Sequence, residues 1–443
     1  MASKLGTSNV VQIAKRSFAA QPAAKALFSP DLQSGTSYNK VKVVSVNESS
    51  PVARISVAFK AGARYETPDN LGITHVLRTA AGISTEEFTH FGIIRSVQQS
   101  GGSLYATVDR EGIVYTIQAV RKEIGHIHKN LASIIGKTEF RPWEVSDLTS
   151  RLKYDRLTRP AQARLFDLLH SAAYRTGLGN SLFVPKYHLG AIGTETLKHY
   201  VNSNLTQATS VVVTSGLSLD DSKEFADSIT FPSGGGNSVA APAKFYGGEL
   251  RKATAAPLTY VAIATESAAA SAKEALAFAV LKYTLGAGPS TKRGVGAGPL
   301  SQAVAGVSGD QAAVSAFSVN YSDSGLFGFV LAGAPEKITP SLQAAIDVIK
   351  GASVNDAHVA RGKALLKRAI AESFETLDAT VESVARQAVA TGVVKSLPDL
   401  LAEVDALSTS DVSAAAAKIK SGKVASAAFG AIQKLPYIDT LLK

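Results

Sequence analysis

Apolar and polar residues alternate along the first strongly patterned segment of the chain, Arg54 to Lys60. This period of two predicts a strand that is buried on one face. A helix is expected to follow from about Leu71. Two further alternating runs, 104–108 and 113–119, flank a charged turn that ends at Gly112, and this arrangement predicts an antiparallel hairpin. The other elements predicted for this half are helices around 122–136, 144–155, 161–175 and 190–203 and a strand at 210–214.

The same order of elements recurs in the second half of the chain, after a segment rich in Pro, Gly, Ala and Ser. A strand is expected at 258–265, a helix at 268–285, and a second hairpin at 313–321 and 326–331. The remaining predicted elements are helices at 337–350, 356–375, 380–391, 397–406 and 410–419 and a strand at 424–429.

This repetition predicts an α+β fold made of two homologous domains in tandem, each an antiparallel-rich sheet packed with helices. With 443 residues the chain is long enough for two domains of about 200 residues each. The predicted boundaries are an N-terminal domain at 19–230, a linker at 231–247 and a C-terminal domain at 248–443.

Composition excludes several classes of function. The net charge is +10, but the Lys and Arg residues are scattered and do not alternate with aromatic residues as single-strand nucleic-acid binding requires. The absence of cysteine excludes disulfides, thiol nucleophiles and thiolate metal sites. Since the sequence has no run of about 18 to 20 apolar residues, any association with a membrane is expected to depend on partners.

Residues 1–18 have the composition of a mitochondrial transit peptide. They carry Lys4, Lys15 and Arg16 among serines and threonines, and the first acidic residue of the chain is Asp31. This segment predicts import into mitochondria.

Two neighbouring segments, Gly62 to Glu66 (GARYE) and Asn70 to Thr79 (NLGITHVLRT), resemble the zinc-binding region of the pitrilysin and mitochondrial processing peptidase family. In that family a helix carries the motif H-x-x-E-H. Its two histidines, one helical turn apart, bind zinc from the same face, and the glutamate activates the metal-bound water.

The motif positions of this chain are His75, Arg78 and Thr79, so only the first histidine is retained. Arginine has a pKa above about 12, which prevents it from acting as the base, and its charge repels zinc. The family's third ligand is a downstream Glu, which spacing places near Asp155, although the region of Trp143 and Glu144 is an alternative. We therefore predict no catalytic residue and no metal site, with His75 a structural residue.

Four further stretches are similar to the members of this family that form core subunits of respiratory complex III. They are Glu139–Val145, His170–Leu182, Gly286–Ala305 and Leu435–Leu441. The resemblance implies a structural subunit without a cofactor, peripheral to the mitochondrial inner membrane on its matrix side. The partners that it implies are a homologue of core protein 1 and the cytochrome b, cytochrome c1 and Rieske iron–sulfur subunits of a dimeric complex.

An alternative within the same family is the non-catalytic, presequence-binding subunit of the mitochondrial processing peptidase, which uses a glycine-rich loop. Residues 286–298 are rich in glycine but match neither a P-loop nor a dinucleotide-binding motif. Lys292 and Arg293 lie within this loop and would repel a cationic presequence.

We predict that the mature protein begins at Ala19. Arg16 and Phe18 match the cleavage pattern of the matrix peptidase, in which an arginine precedes an aromatic residue near the cut. N-terminal sequencing of the native protein checks this, and recovery of intact residues 1–18 would contradict it.

Overall fold

A computed structural model of the chain describes residues 31–46, 49–232, 240–288, 296, 298–351 and 355–442. The predicted transit peptide with its cleavage site at Phe18 and Ala19, the middle of the predicted linker and most of the glycine-rich loop lie outside the described residues. Within these ranges no helix is long and apolar enough to cross a membrane.

The first half of the chain forms a six-stranded sheet with the strand order β1-β2-β6-β3-β5-β4. The strands β2 and β6 are parallel, and all other neighbours are antiparallel. The strands are β1 (Leu32–Thr36), β2 (Lys42–Val46), β3 (Val52–Phe59), β4 (Ser103–Val108), β5 (Ile113–Val120) and β6 (Ser210–Ser215). The helices are α1 (Ile73–Thr79), α2 (His90–Gln99), α3 (Ile124–Gly136), α4 (Pro142–Thr158), α5 (Ala161–Tyr174), α6 (Thr194–Asn204) and α7 (Leu219–Ser228).

The second half forms a five-stranded sheet with the order β7-β11-β8-β10-β9. Its strands are β7 (Gly248–Ala253), β8 (Thr259–Glu266), β9 (Ala312–Asn320), β10 (Gly325–Gly333) and β11 (Val424–Gly430). Its helices are α8 (Lys273–Leu285), α9 (Pro299–Ser308), α10 (Ile338–Gly351), α11 (Asp356–Ser373), α12 (Leu377–Thr391), α13 (Leu397–Ala406), α14 (Thr409–Ser421) and α15 (Ile438–Leu442).

The two sheets have the same topology. The strands β2, β6, β3, β5 and β4 correspond in order to β7, β11, β8, β10 and β9, and each sheet has one parallel pair, β2 with β6 and β7 with β11. The equivalent hairpins at the sheet edges, β4–β5 and β9–β10, also share a turn of the same length, since Val108 pairs with Ile113 as Asn320 pairs with Gly325. The predicted α+β fold with two similar units is confirmed.

The strand β3 differs from its prediction because both of its faces are buried. Arg54 and Ser56, which alternation assigned to a solvent face, are 5% and 2% exposed. The Ser56 and Thr116 hydroxyls are hydrogen-bonded at 2.8 Å. The guanidinium of Arg54 pairs with Asp378, at the start of α12. A helix from the second half of the chain therefore covers the face that was expected to be solvated.

The helices α12 and α5, which occupy equivalent positions in the two halves, are exchanged between the two sheets. The first half contributes α5, which packs on β11, β8 and β7 of the other sheet. The second half contributes α12, which packs on β6 and β3. The buried residues of the α12 contact are Val44, Val46, Ala58, Val211 and Val213 from the sheet and Val381, Val384, Ala385 and Ala388 from the helix. Those of the α5 contact include Leu165, Leu169, Ala173, Ala262, Ala264, Ala425 and Ala427.

We predict that Val384→Ala in α12 destabilises the sheet of the first half. Val384 is fully buried, so loss of its two methyl groups should cost about 2 kcal/mol. Hydrogen–deuterium exchange should become faster at β3 and β6. Val393→Ala is the matched control because Val393 lies just beyond α12 and is 59% exposed. Faster exchange confined to the second half would contradict the prediction.

Candidate functional site

The helix that carries the altered motif, α1, is held at its start by Glu66. The Glu66 carboxylate accepts hydrogen bonds from the backbone N–H of Gly72 at 2.7 Å and of Thr74 at 3.0 Å, and from the Thr74 hydroxyl at 2.6 Å. Burial raises the pKa of Glu66 to about 7, although these donors act in the opposite direction. Gly72 has a φ of +87°, and a Cβ there would lie 2.4 Å from the Cα of Val184. The GARYE segment thus positions the helix that follows it.

His75 is buried and neutral. Its Nδ1 accepts the backbone N–H of Val184 at 3.3 Å, and its ring meets Phe183 edge-on at a centroid distance of 5.2 Å. Burial, together with the charge of Arg78, lowers the pKa of His75 to about 4. Because Nδ1 is an acceptor, the proton belongs on Nε2, which lies 3.5 Å from the Asp155 carboxylate.

Asp155 of α4 also pairs with Arg78, at 3.1 Å from Nη2. The side chain of Arg78 is about one third exposed and that of Asp155 about one quarter. The Arg78 guanidinium lies 5.9 Å from the Phe183 ring centre. Glu144, the other candidate for the third position, instead accepts hydrogen bonds from Ser84. The carboxylate that faces the motif is therefore Asp155.

Thr79 is turned back onto its own helix, where its hydroxyl donates to the carbonyl of His75 at 2.9 Å. The residues at this place are one neutral histidine, one carboxylate and a cation bound to that carboxylate. This donor set does not fit zinc, which needs at least three ligands without a competing positive charge. In the described ranges, no group of three or more His, Asp or Glu side chains is arranged to hold a metal ion.

The Arg78–Asp155 pair links α1 to α4. A cavity of about 750 Å³ opens beside it, between α4 and the edge strand β4. Its charged lining includes Arg78, Arg151, Glu144, Asp147 and Asp155.

A second cluster, which sequence reasoning missed, joins the two halves of the chain. Arg64 Nη1 lies 2.8 Å from the Glu111 carboxylate and 2.7 Å from the Asp323 carboxylate, and Nη2 also binds Asp323. Arg64 and Glu111 are 7% and 6% exposed. Glu111 also accepts the backbone N–H of Ser322 at 2.9 Å and its hydroxyl at 2.6 Å. We refer to Arg64, Glu111 and Asp323 as the inter-half clamp.

The clamp lies where the two equivalent hairpin turns meet. Glu111 and Asp323 are each the third residue of their turn, so one guanidinium bridges two carboxylates at equivalent positions. Burial opposes ionisation of Asp323, but the Arg64 hydrogen bond and the backbone N–H of Ala243 together lower its pKa. Beside the clamp, Nε2 of the buried His170 lies 2.7 Å from the hydroxyl of Tyr321.

Comparison with known proteins identifies the family. The protein-family model described as insulinase, peptidase family M16, matches residues 42–186. The family model described as the peptidase M16 inactive domain matches residues 191–366. The chain belongs to the M16 peptidase family. This finding confirms the resemblance seen at the motif.

M16 relatives match over nearly the whole chain. Cytochrome b-c1 complex subunit 2 of Mus musculus is 35% identical, and that of Homo sapiens 34%, over 95% of this chain and 94% of theirs. A probable alpha-1 subunit of the mitochondrial processing peptidase from Arabidopsis thaliana is 28% identical over 95% of this chain and 86% of its own. The fold matches a chain of complex III2 from Candida albicans with Inz-5 bound. The TM-score is 0.75 at 20% identity, covering 93% of this chain and 99% of that chain.

We predict that the wild-type M16 chain binds no stoichiometric zinc and cleaves no presequence peptide, since Arg78 occupies the position of the base and is paired with Asp155. Arg78→Glu combined with Thr79→His restores the motif beside His75 and should gain zinc, because Asp155 supplies a carboxylate. Elemental analysis after dialysis against zinc measures the zinc content of the wild type and of the double variant. One tightly bound zinc in the wild type would refute the first expectation.

Arg78→Glu with Thr79→Ala is the matched control. It makes the same charge change but restores only one of the two groups, so it should retain less zinc than the double variant that carries histidine. Equal zinc content in both variants would show that the motif helix does not hold the metal.

Proposed function

We propose that this chain is a structural core subunit of the mitochondrial cytochrome b-c1 complex (complex III), which passes electrons from ubiquinol to cytochrome c, and that it has no catalytic activity of its own. The observation that carries this proposal is the pairing of Arg78 with Asp155 at the position of the M16 base. The near full-length similarity to cytochrome b-c1 complex subunit 2 supports it.

The proposed role is assembly. A subunit that keeps both sheets and loses its metal acts through its surfaces, which bury area against partners. The proposed partners are a core protein 1 homologue and the cytochrome b, cytochrome c1 and Rieske iron–sulfur subunits. The proposed position is peripheral, on the matrix side of the inner membrane, reached after removal of residues 1–18.

The division into domains at 19–230 and 248–443 with a linker at 231–247 is also a proposal. Exchange of α5 and α12 supports the further expectation that neither part is stable without the other, because each sheet takes a helix from the opposite half.

The second candidate function is that of the non-catalytic, presequence-binding subunit of the processing peptidase. The similarity to alpha subunits over most of the chain favours it. The higher identity to cytochrome b-c1 complex subunit 2 favours the first proposal. The loop residues Lys292 and Arg293, whose charge argues against presequence binding, lie outside the described residues.

We predict that depletion of this protein lowers the abundance of the whole reductase complex. An obligate interface buries more than about 2,000 Å², so its loss leaves partner surfaces exposed and the partners prone to degradation. Native gel electrophoresis of mitochondria after depletion measures the abundance of the complex. Re-expression of the wild-type chain is the control and should restore it.

The same gels separate the two candidate functions. If complex III persists at normal size and activity while uncut precursor proteins accumulate, the processing-peptidase function is the correct one. Loss of complex III with normal precursor processing supports the structural role.

A further inference from the structure

The junction between α4 and α5 carries a concentration of positive charge that the proposed function does not use. Residues 151–175 contain six basic and two acidic residues. Three of the basic residues, Arg156, Arg159 and Arg164, lie around the point where α4 ends and α5 begins. We call these three residues the arginine corner.

Hydrogen bonds within the described part of the chain leave some donors of this corner without a partner. Arg159 reaches Asp167 at 3.4 Å, but Asp167 already pairs with Arg110 at 2.9 Å. Arg164 donates to the carbonyl of Leu157 at 2.7 Å. The Nε atoms of all three arginines of the corner are buried and have no hydrogen-bond partner in the described part of the chain.

The three guanidinium groups are close enough to repel one another. Burial lowers the pKa of Arg159; Asp167 opposes this effect, and the charges of Arg164 and Arg156 add to it. The C-terminal end of the α4 dipole offsets only part of this repulsion, since it is equivalent to about half a negative charge. A carboxylate supplied from outside would satisfy the remaining charge with charge-assisted hydrogen bonds.

Apolar surface lies on the same end of α4. Tyr154 and Leu157 are 66% and 58% exposed, and both belong to its last two turns. A small inorganic anion would leave this surface uncovered, whereas a peptide could pair acidic side chains with the arginines and place an apolar side chain on Leu157. Among the residues of the given sequence that the structure does not describe, Glu48 alone is acidic, which favours a partner protein as the source of the acidic segment.

We propose that the arginine corner and the adjoining Leu157 bind an acidic peptide segment of a partner protein, with carboxylates on the guanidinium groups and an apolar residue on Leu157. This surface goes beyond the proposed function, and its test does not depend on that function.

Fluorescence anisotropy of the purified full-length chain tests the proposal with a labelled peptide in which glutamates flank two leucines. The wild type should bind saturably, and added salt should weaken binding. Arg156→Gln should weaken binding about tenfold, the equivalent of one charge-assisted hydrogen bond. Lys153→Gln is the matched control, since Lys153 is an exposed cation on the same helix, and it should change binding less than about twofold.

Leu157→Ser provides an independent variant because Leu157 is exposed and its loss should not unfold the protein. It should weaken binding of the peptide with leucines and not of an otherwise equal peptide with serines. A peptide with Gln in place of Glu should not bind. Equal binding by the wild type and Arg156→Gln, or stabilisation by inorganic phosphate without any peptide binding, would overturn the proposal.

Discussion

One buried guanidinium, that of Arg64, joins the two halves of this molecule by pairing with a carboxylate from each. It pairs with the buried Glu111 and the partly exposed Asp323, which come from equivalent turns and would otherwise face each other as uncompensated charges. Each hairpin that carries one of these turns lies at the edge of its sheet, and the clamp joins the two turns. The exchanged helices α5 and α12 cover the two sheets in the same arrangement. The clamp and these two apolar contacts therefore join the halves together.

The degenerate motif shows how a metal centre can be lost while its surroundings are kept. The supports of the helix remain, since Glu66 still binds the start of α1 and Gly72 still allows close approach of Val184. The salt bridge from Arg78 to Asp155 then links the same two helices that a shared metal would link. An exposed ion pair contributes little to stability, and this pair is partly exposed, so most of the support comes from the packing of His75 and its neighbours.

The sequence predicted most of the helices and the central strands because their periodic patterns reflect local packing. It missed the strands β1, β2 and β7, which are only five or six residues long, and the helices α2, α7, α9 and α15, which have at most ten residues. Burial of both faces of β3 could not be predicted, because the helix that covers Arg54 lies more than 300 residues away in the chain. At the site, spacing found Asp155, but no local signal indicated that Arg64 would meet a carboxylate from the other hairpin.

Helix exchange also affects the order in which the chain can reach its final structure. Synthesis proceeds from the N-terminus, so the sheet of the first half is complete once β6 has emerged. Its outer face, formed by valines and Ala58, then remains uncovered until α12 has been made, more than 150 residues later. During that interval the nascent chain presents an apolar surface that other chains could occupy. The first sheet can therefore complete its packing only after most of the second half of the chain has been made.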